Sequence, residues 1–340
     1  WSDCFPMPTS PTESQSTSPV LAVLAMHTLQ GQTMGTSWCV KLVTSPHANL
    51  HALHAGIESQ LDLVVAQMST WEANSYITRF NQSAAGTWHS LPEEFFTVLT
   101  CALQTAQDSG GAYDPTIGPL VQAWGFGATQ RATQVPTLEE LAAAHELIGW
   151  QRISLQAPSH SALQPGGLQL DLSAIAKGYA VDLVARHIRA KGIPAALVEV
   201  GGELYGYGRK PDDSPWQVLV EATPGQQDED EEENPARVIA LEGLAIATSG
   251  DHWHAFEQQG TRYSHTLDPR TGSPVQHAPA AVTVIAADAM HADAWATALT
   301  VMGGEAGFAF AQSRGLAARF VTHTDSGLDE RMTEPFKARL

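Results

Sequence analysis

WQVLVEA (216–222) and RVIALEGLAIATSG (237–250) follow PAALVEV (194–200) with no helical stretch between them. Each is a short run of Val, Leu, Ile and Ala, the content of strands buried on one or both sides. Strands that succeed one another without a crossover helix are joined as hairpins, and hairpins make antiparallel ladders. Elsewhere helices interrupt the strands without a regular βα alternation. The reading is therefore α+β: mixed, largely antiparallel sheets with packed helices.

Upstream of these strands, apolar residues at Leu50, Leu53, Ile57, Leu61, Val64 and Met68 recur in steps of three and four, which predicts an amphipathic helix. It is followed by MSTWEANSYITRFN (68–81), read as a loop. A second helix runs from Pro92 to about Ser109, with Phe96, Leu99, Leu103 and Ala106 on one side and Gly110-Gly111 as its stop. YDPTIGPLVQAWGFG (113–127) is too dense in Gly and Pro for a regular element. Thr137 with Glu140 is a capping-box pattern that opens a third helix. RISLQA and LQLDLS then read as strands, and Ser173 to Lys191 as a helix with Ile175, Tyr179, Leu183 and Ile188 inward. VLAVLAMHTLQGQTMGTSWCVKLVTS (20–45) reads as one or two strands with MGTSW at a turn. AAVTVIAAD (280–288), an Ala-rich helix to Gly303, a short helix and the strand LAARFVTH complete the chain.

The chain divides into a Ser/Thr/Pro-rich tether at 1–19 and a single domain at 20–340. At 340 residues, 43% hydrophobic and 16% charged, it is long enough to bury a large core. No run of 18 apolar residues is present to span a bilayer. The net charge of −18 argues against nucleic acid, which requires a basic footprint. Part of the acidity is local: QQDEDEEENP (226–235) carries six acids in succession, read as a solvated hairpin insertion. Cys4, Cys39 and Cys101 lack metal-like spacing. The opening residues lack the basic end and apolar run of a signal peptide. A tether behind an early cysteine is what a processed lipoprotein retains, so a lipid on Cys4 is an expectation, although Trp-Ser-Asp before it is not a lipobox.

The chemically capable side chains gather in ATSGDHWHAFEQQGTRYSHTLDPRTGSPV (247–275) and HADAWATALTVMG (291–303). His265, Asp268 and Arg270 stand close together in a stretch shaped by Pro269 and Gly272. Asp293 and Thr297 are four apart in a helical segment, so both oxygens leave one face and suit a hard cation. In DLSAIAKGYAVD (171–182) a helix opens around Ser173, and its free N–H groups suit an anion. Lys177 adds positive charge one turn in.

MGTSW, STWEANSYITRFN, YDPTIGPLVQAWGFG, DLSAIAKGYAVD, the Gly201-Gly202 pair, ATSGD, SHTLDPRTGSP and ADAWATALTVMG, in this order, closely resemble the ApbE family, the FAD:protein FMN transferases. The resemblance covers about residues 30–322. It implies an ApbE-like fold and Mg²⁺-dependent transfer of FMN from FAD to a Ser or Thr hydroxyl of a target flavoprotein, with release of AMP. By the same resemblance Met34 and Trp71 contact the flavin, Asp114 hydrogen-bonds the FAD, and Lys177 meets its polar end. Leu267 offers backbone or packing to the FAD. The metal set is Asp293, Thr297 and the carbonyl of Ala174, all oxygen donors as Mg²⁺ requires. His265 is the candidate general base because imidazole titrates near neutral pH, with Asp293 or Asp268 orienting it or sharing the task. The family works outside the cytoplasmic membrane, so a periplasmic or extracytoplasmic location, possible inner-membrane lipid anchoring and a partner subunit of a membrane redox complex are implied. Trp253 stands where the family often has Tyr, and the acidic insertion is foreign to its pattern. Two other readings use the same residues: a metal-dependent FAD pyrophosphatase that gives FMN and AMP, and a non-catalytic flavin-binding protein.

Overall fold

The computed structural model describes residues 24–128, 134–220, 236–250, 255–258, 260–276, 278–324 and 327–340. The tether with Cys4, the acidic insertion, and Trp253 with its flanking histidines lie outside the described residues.

The chain opens on a hairpin of β1 (Ala25–Thr33) and β2 (Thr36–Thr44). Met34 (φ 49°) and Gly35 (φ 72°) make its two-residue turn. Two positive φ values in succession match the twist of a hairpin, and a methionine there is uncommon. Asn49 then caps α1 (Leu50–Met68), its side chain accepting from the Ala52 N–H at 3.0 Å. Ile57, Leu61, Val64 and Met68 are buried, on the stripe the periodicity predicts.

The segment read as a loop at 68–81 ends in a short helix, α2 (Tyr76–Asn81). Ser75 caps it by accepting from Thr78 N–H, and Ile77 and Phe80 enter the core. After β3 (Thr87–Ser90), α3 (Glu93–Asp108) buries Phe95, Val98, Leu99, Ala102 and Ala106. Phe96 instead stacks on His160, ring centroids 4.7 Å apart. The Gly/Pro-rich stretch also contains a helix, α4 (Gly118–Ala123), begun with Pro119 where no N–H is missed. The capping box forms at Thr137 and Glu140 and starts α5 (Leu138–Leu147).

β4 (Ser154–Gln156) and β5 (Ser161–Gln164) join β3 in a three-stranded sheet. LQLDLS does not form a strand. Its backbone is engaged by the preceding loop: Gly118 N–H donates to Gln169 O at 3.2 Å and Asp171 N–H to Pro115 O at 2.8 Å. Consequently α6 (Ala176–Ala190) starts three residues later than the sequence predicts, after a turn at 173–175.

β6 (Ala195–Val200) and β7 (Glu203–Tyr207) form a hairpin across Gly201-Gly202. β8 (Trp216–Val220) pairs with β9 (Arg237–Leu241), and β10 (Leu244–Gly250) follows. Two small ladders come next, β11 (Ala255–Gln258) with β12 (Thr261–Ser264) and β13 (Leu267–Asp268) with β14 (Ser273–Pro274). The chain ends in β15 (Ala281–Ala286), α7 (Ala289–Met302), α8 (Gly304–Arg314), β16 (Ala317–Thr324), β17 (Gly327–Met332) and α9 (Glu334–Lys337).

The main sheet has eight strands in the order β1-β2-β6-β7-β10-β15-β16-β17. Every ladder among the described strands is antiparallel; the only parallel pairing among them is the bridge between Ile117 and Gln169. One face packs on the helices through Val40, Leu42, Ala196, Val198 and Ala245. The other packs on the β8–β9 hairpin and α9 through Val43, Ala195, Leu197, Ile246 and Phe336. With both faces covered, β6 reads as an apolar run broken only by Glu199.

Candidate functional site

β2 and β6 are antiparallel with Trp38 opposite Val200, so the start of one strand and the end of the other meet at one edge of the sheet. The hairpin turns at Met34-Gly35 and Gly201-Gly202 therefore lie side by side. Gly201 N–H donates to Ser37 O at 3.0 Å and locks them together. At Gly201 (φ 61°) a Cβ would stand 2.8 Å from Thr36 Cγ2 and 3.3 Å from Lys177 Cδ. The glycine thus leaves a lane along which the aliphatic stem of Lys177 runs.

That stem leads to Glu203. Across the two-residue turn Glu203 pairs with Val200, and paired residues share a face, which here is the face under the helices. Lys177, in the first turn of α6, lies over it with Nζ 2.5 Å from Glu203 Oε1. Glu203 is 2% exposed and its Oε2 has no hydrogen-bond partner among the described residues. Asp293, on α7, is buried beside this pair and accepts from Gly178 N–H through Oδ2 at 3.0 Å. Burial lifts both the Glu203 and the Asp293 carboxyl above their ordinary values, while Lys177 pulls both back. Burial also works against the charge of Lys177, but Glu203 and Asp293 more than offset it and hold its ammonium above the ordinary value.

α7 is seated on α6 by Asp182, which accepts from the N–H groups of Ala289 (2.8 Å) and Met290 (2.9 Å). Asp288 caps α7. One turn beyond Asp293, the side-chain hydroxyl of the half-buried Thr297 makes no hydrogen bond among the described residues, whereas that of Thr300 donates to Ala296 O. Ala174 sits in the turn that leads into α6. Two buried acids share one ammonium, and the donors around it are a carboxyl, an uncommitted hydroxyl and a carbonyl. That set fits a hard, oxygen-preferring cation.

A second group borders the first. Tyr113 is buried with its Oη unpartnered among the described residues, and its phenol is pushed well above the ordinary value by burial and then by Asp293. The neighbouring Asp114 is committed to the loop. Oδ1 accepts from Thr116 N–H (2.8 Å) and Oγ1 (2.7 Å), and Oδ2 from Trp150 N–H (3.1 Å). Burial raises its carboxyl while these contacts with Thr116 and Trp150 lower it. Hydrogen bonding to a ligand, the role implied by resemblance, would be additional to this bracing.

The 265–272 stretch is held by aromatic packing. Leu267 is buried with Leu120, Trp124 and Ala144, and Trp124 Nε1 donates to Gly272 O at 2.9 Å. His265 meets the ring of Phe126 edge-on with centroids 6.5 Å apart. Asp268 is occupied by Arg270, whose Nε and Nη2 donate to its two oxygens at 2.9 and 2.8 Å. It therefore braces the turn. Met34 is half-buried against the helical core. Trp71 is 67% exposed, in the loop that Ser75 fastens by donating to Ser69 O at 2.7 Å.

Lys177 and Asp293 are thus brought together on adjoining helices, with Ala174 and Thr297 one turn away on their respective segments. His265 and Leu267 belong to the aromatic cluster, and Trp71 stands on a separate loop. Glu203, Tyr113 and Gly178 were not singled out by the sequence. The signal for Glu203 was an acid directly after a two-glycine turn, at a position where strand alternation points inward.

The ApbE family model matches residues 34–320. A Vibrio cholerae protein named FAD:protein FMN transferase is 38% identical over 310 residues, 91% of each chain. The Escherichia coli K12 protein of that name is 35% identical over 315 residues, 92% of this chain and 88% of its own. The apo crystal structure of Pseudomonas stutzeri flavinyl transferase ApbE is 38% identical, with a TM-score of 0.85 over 93% of this chain and 97% of that one.

Proposed function

The chain belongs to the ApbE family, and on that footing we propose that it transfers the FMN half of FAD to a Ser or Thr hydroxyl of an acceptor protein, releasing AMP. The observation that carries the reading is the Lys177–Glu203–Asp293 group, where a fixed ammonium and two buried acids stand beside two hairpin turns.

Transfer of this kind asks for positioning and charge neutralisation more than for covalent chemistry by the protein. Of the three N–H donors on Lys177, one is spent on Glu203 and two remain for phosphate oxygens. Asp293, Thr297 and the Ala174 carbonyl would hold Mg²⁺, which when bound neutralises charge on the pyrophosphate. Met34 and Trp71 offer a thioether and an indole face to the isoalloxazine. His265 takes the proton of the attacking hydroxyl as its oxygen bonds to the FMN phosphorus, and the bond from that phosphorus to the AMP phosphate oxygen breaks. The same reading puts the protein outside the cytoplasmic membrane, acting on flavin-carrying subunits of membrane redox complexes, with Cys4 as the lipid-anchor candidate.

The test is incubation with FAD, Mg²⁺ and an acceptor domain bearing the target hydroxyl. An acceptor heavier by one FMN, with equivalent AMP, is expected by intact-mass analysis. Free FMN and AMP beside an unmodified acceptor, when an established transferase modifies that acceptor, would overturn it in favour of a pyrophosphatase.

A further inference from the structure

Lys177 lies between two buried acids and touches only one of them as an ion pair. The pair with Glu203 is very unequal in exposure, with the lysine side chain 32% exposed and the glutamate 3%. A buried ion pair roughly breaks even as a contribution to stability, because desolvation consumes the Coulombic gain. Folding alone therefore does not account for a carboxylate at this helix-facing strand position, least of all one whose second oxygen has no hydrogen-bond partner among the described residues. Its neighbours on the same face, Tyr205 and Tyr207, are aromatic. Gly201 clears the path by which Lys177 arrives.

Asp293 is the competing acid. It is within electrostatic reach of Lys177, and it is anchored by the N–H of Gly178, the residue next to that lysine. Released from Glu203, a flexible ammonium would take Asp293 as its counter-ion and occupy the carboxylate that stands one turn before Thr297 on α7. We propose that Glu203 is a positioning residue: by holding the ammonium of Lys177 it keeps that charge off Asp293, leaving Asp293 for a cation and Lys177 for the phosphates. The phosphate half of this statement rests on the transfer reading above; the cation half does not.

The experiment compares the whole protein with Glu203→Gln, Lys177→Met and the double variant. Mn²⁺ binding is read from the free-ion EPR signal without FAD, alongside kcat and KM for transfer and thermal unfolding. Glu203→Gln keeps the side-chain shape, so its Tm is expected within about 4 °C of the parent. Its Mn²⁺ affinity is expected to fall about fivefold or more, a coupling of ordinary size for contacting groups. Transfer kcat falls about tenfold or more, with a smaller change in KM for FAD. In the double variant Mn²⁺ affinity returns to within about twofold of Lys177→Met, because no ammonium remains to compete. Unchanged Mn²⁺ binding in Glu203→Gln, or a double variant as weak as Glu203→Gln, overturns the proposal, as does a parent protein that binds no Mn²⁺. A parent that binds Mn²⁺ but transfers no FMN overturns the proposed function instead, and the Mn²⁺ comparison still decides this one.

Discussion

The backbone N–H of Gly178 donates to Oδ2 of Asp293 at 3.0 Å, joining α6 to α7 at the point where a side chain has no room. A Cβ at residue 178 would stand 2.2 Å from the carbonyl oxygen of Ala289 and 2.8 Å from Asp293 Cβ. Backbone cannot yield as the tip of a side chain can, so Gly178→Ala must part the two helices. The expected cost is about 1–3 kcal/mol of stability, the usual penalty for overpacking. Because Lys177 and Asp293 ride on those helices, transfer should fall further than that loss explains. Thermal unfolding together with activity at 10 °C below the new Tm checks this, and a folded variant with parental activity would refute it.

Asp293→Asn separates charge from shape at the same contact. The amide oxygen can still accept from Gly178 N–H, and the burial that lifts the Asp293 carboxyl no longer opposes a charge. Stability should be unchanged or up to about 2 kcal/mol greater, as when buried ionic groups are replaced by neutral ones. Transfer, in contrast, should drop by about a hundredfold or more if the carboxylate binds the cation. Calorimetry and a Mg²⁺ titration of activity give both numbers; loss of stability in step with activity would mean that Asp293 serves the fold.

Trp71 offers the opposite combination. At 67% exposure, truncation removes little packing, so Trp71→Ala should stay within about 0.5 kcal/mol of the parent. If the indole covers the flavin, about 1–3 kcal/mol of stacking is lost, and KM for FAD should rise about tenfold. Quenching of flavin fluorescence on binding reads this directly. An unchanged KM would remove Trp71 from the flavin site.

The contrast between Trp71 and Glu203 marks what the sequence made legible. Trp71 lies in a local motif, and α1 came out to the residue because its stripe depends only on spacing along one helix. The inward face of α3 held at Leu99 and Ala106 but turned by one residue elsewhere, to Phe95 and Ala102, with Phe96 stacked on His160 from a distant segment. LQLDLS has the composition of a strand but gives its backbone to the loop around Pro115 and Ile117. β17, GLDERM, carries no apolar run because its ladder runs along one side only, to β16. Glu203 becomes meaningful only when the register sets it opposite Val200 and α6 lays Lys177 over it, and both are facts of three-dimensional pairing.

Far from this site, Glu330 on β17 holds two arginines together. Its Oε1 accepts from Nε of Arg319, a residue 1% exposed, at 2.5 Å, and its Oε2 accepts from Nη2 of Arg237 at 2.5 Å. Burial pushes the Glu330 carboxyl up, but the two guanidinium groups prevail and hold it below its ordinary value of 4.5. A carboxyl depressed in the folded state takes up its proton more readily when unfolded, so its stabilisation is complete above the ordinary value. It is lost as pH falls through the lower, folded value. Glu330→Gln removes the carboxylate charge that Arg319 and Arg237 share and should cost about 2–3 kcal/mol at pH 7, at the low end for a broken buried pair because Arg237 is partly solvated. Between about pH 5 and pH 3 the parent should lose stability faster than the variant, and the two curves should converge. Urea unfolding at a series of pH values measures both slopes; parallel curves would mean that Glu330 does not contribute through its charge.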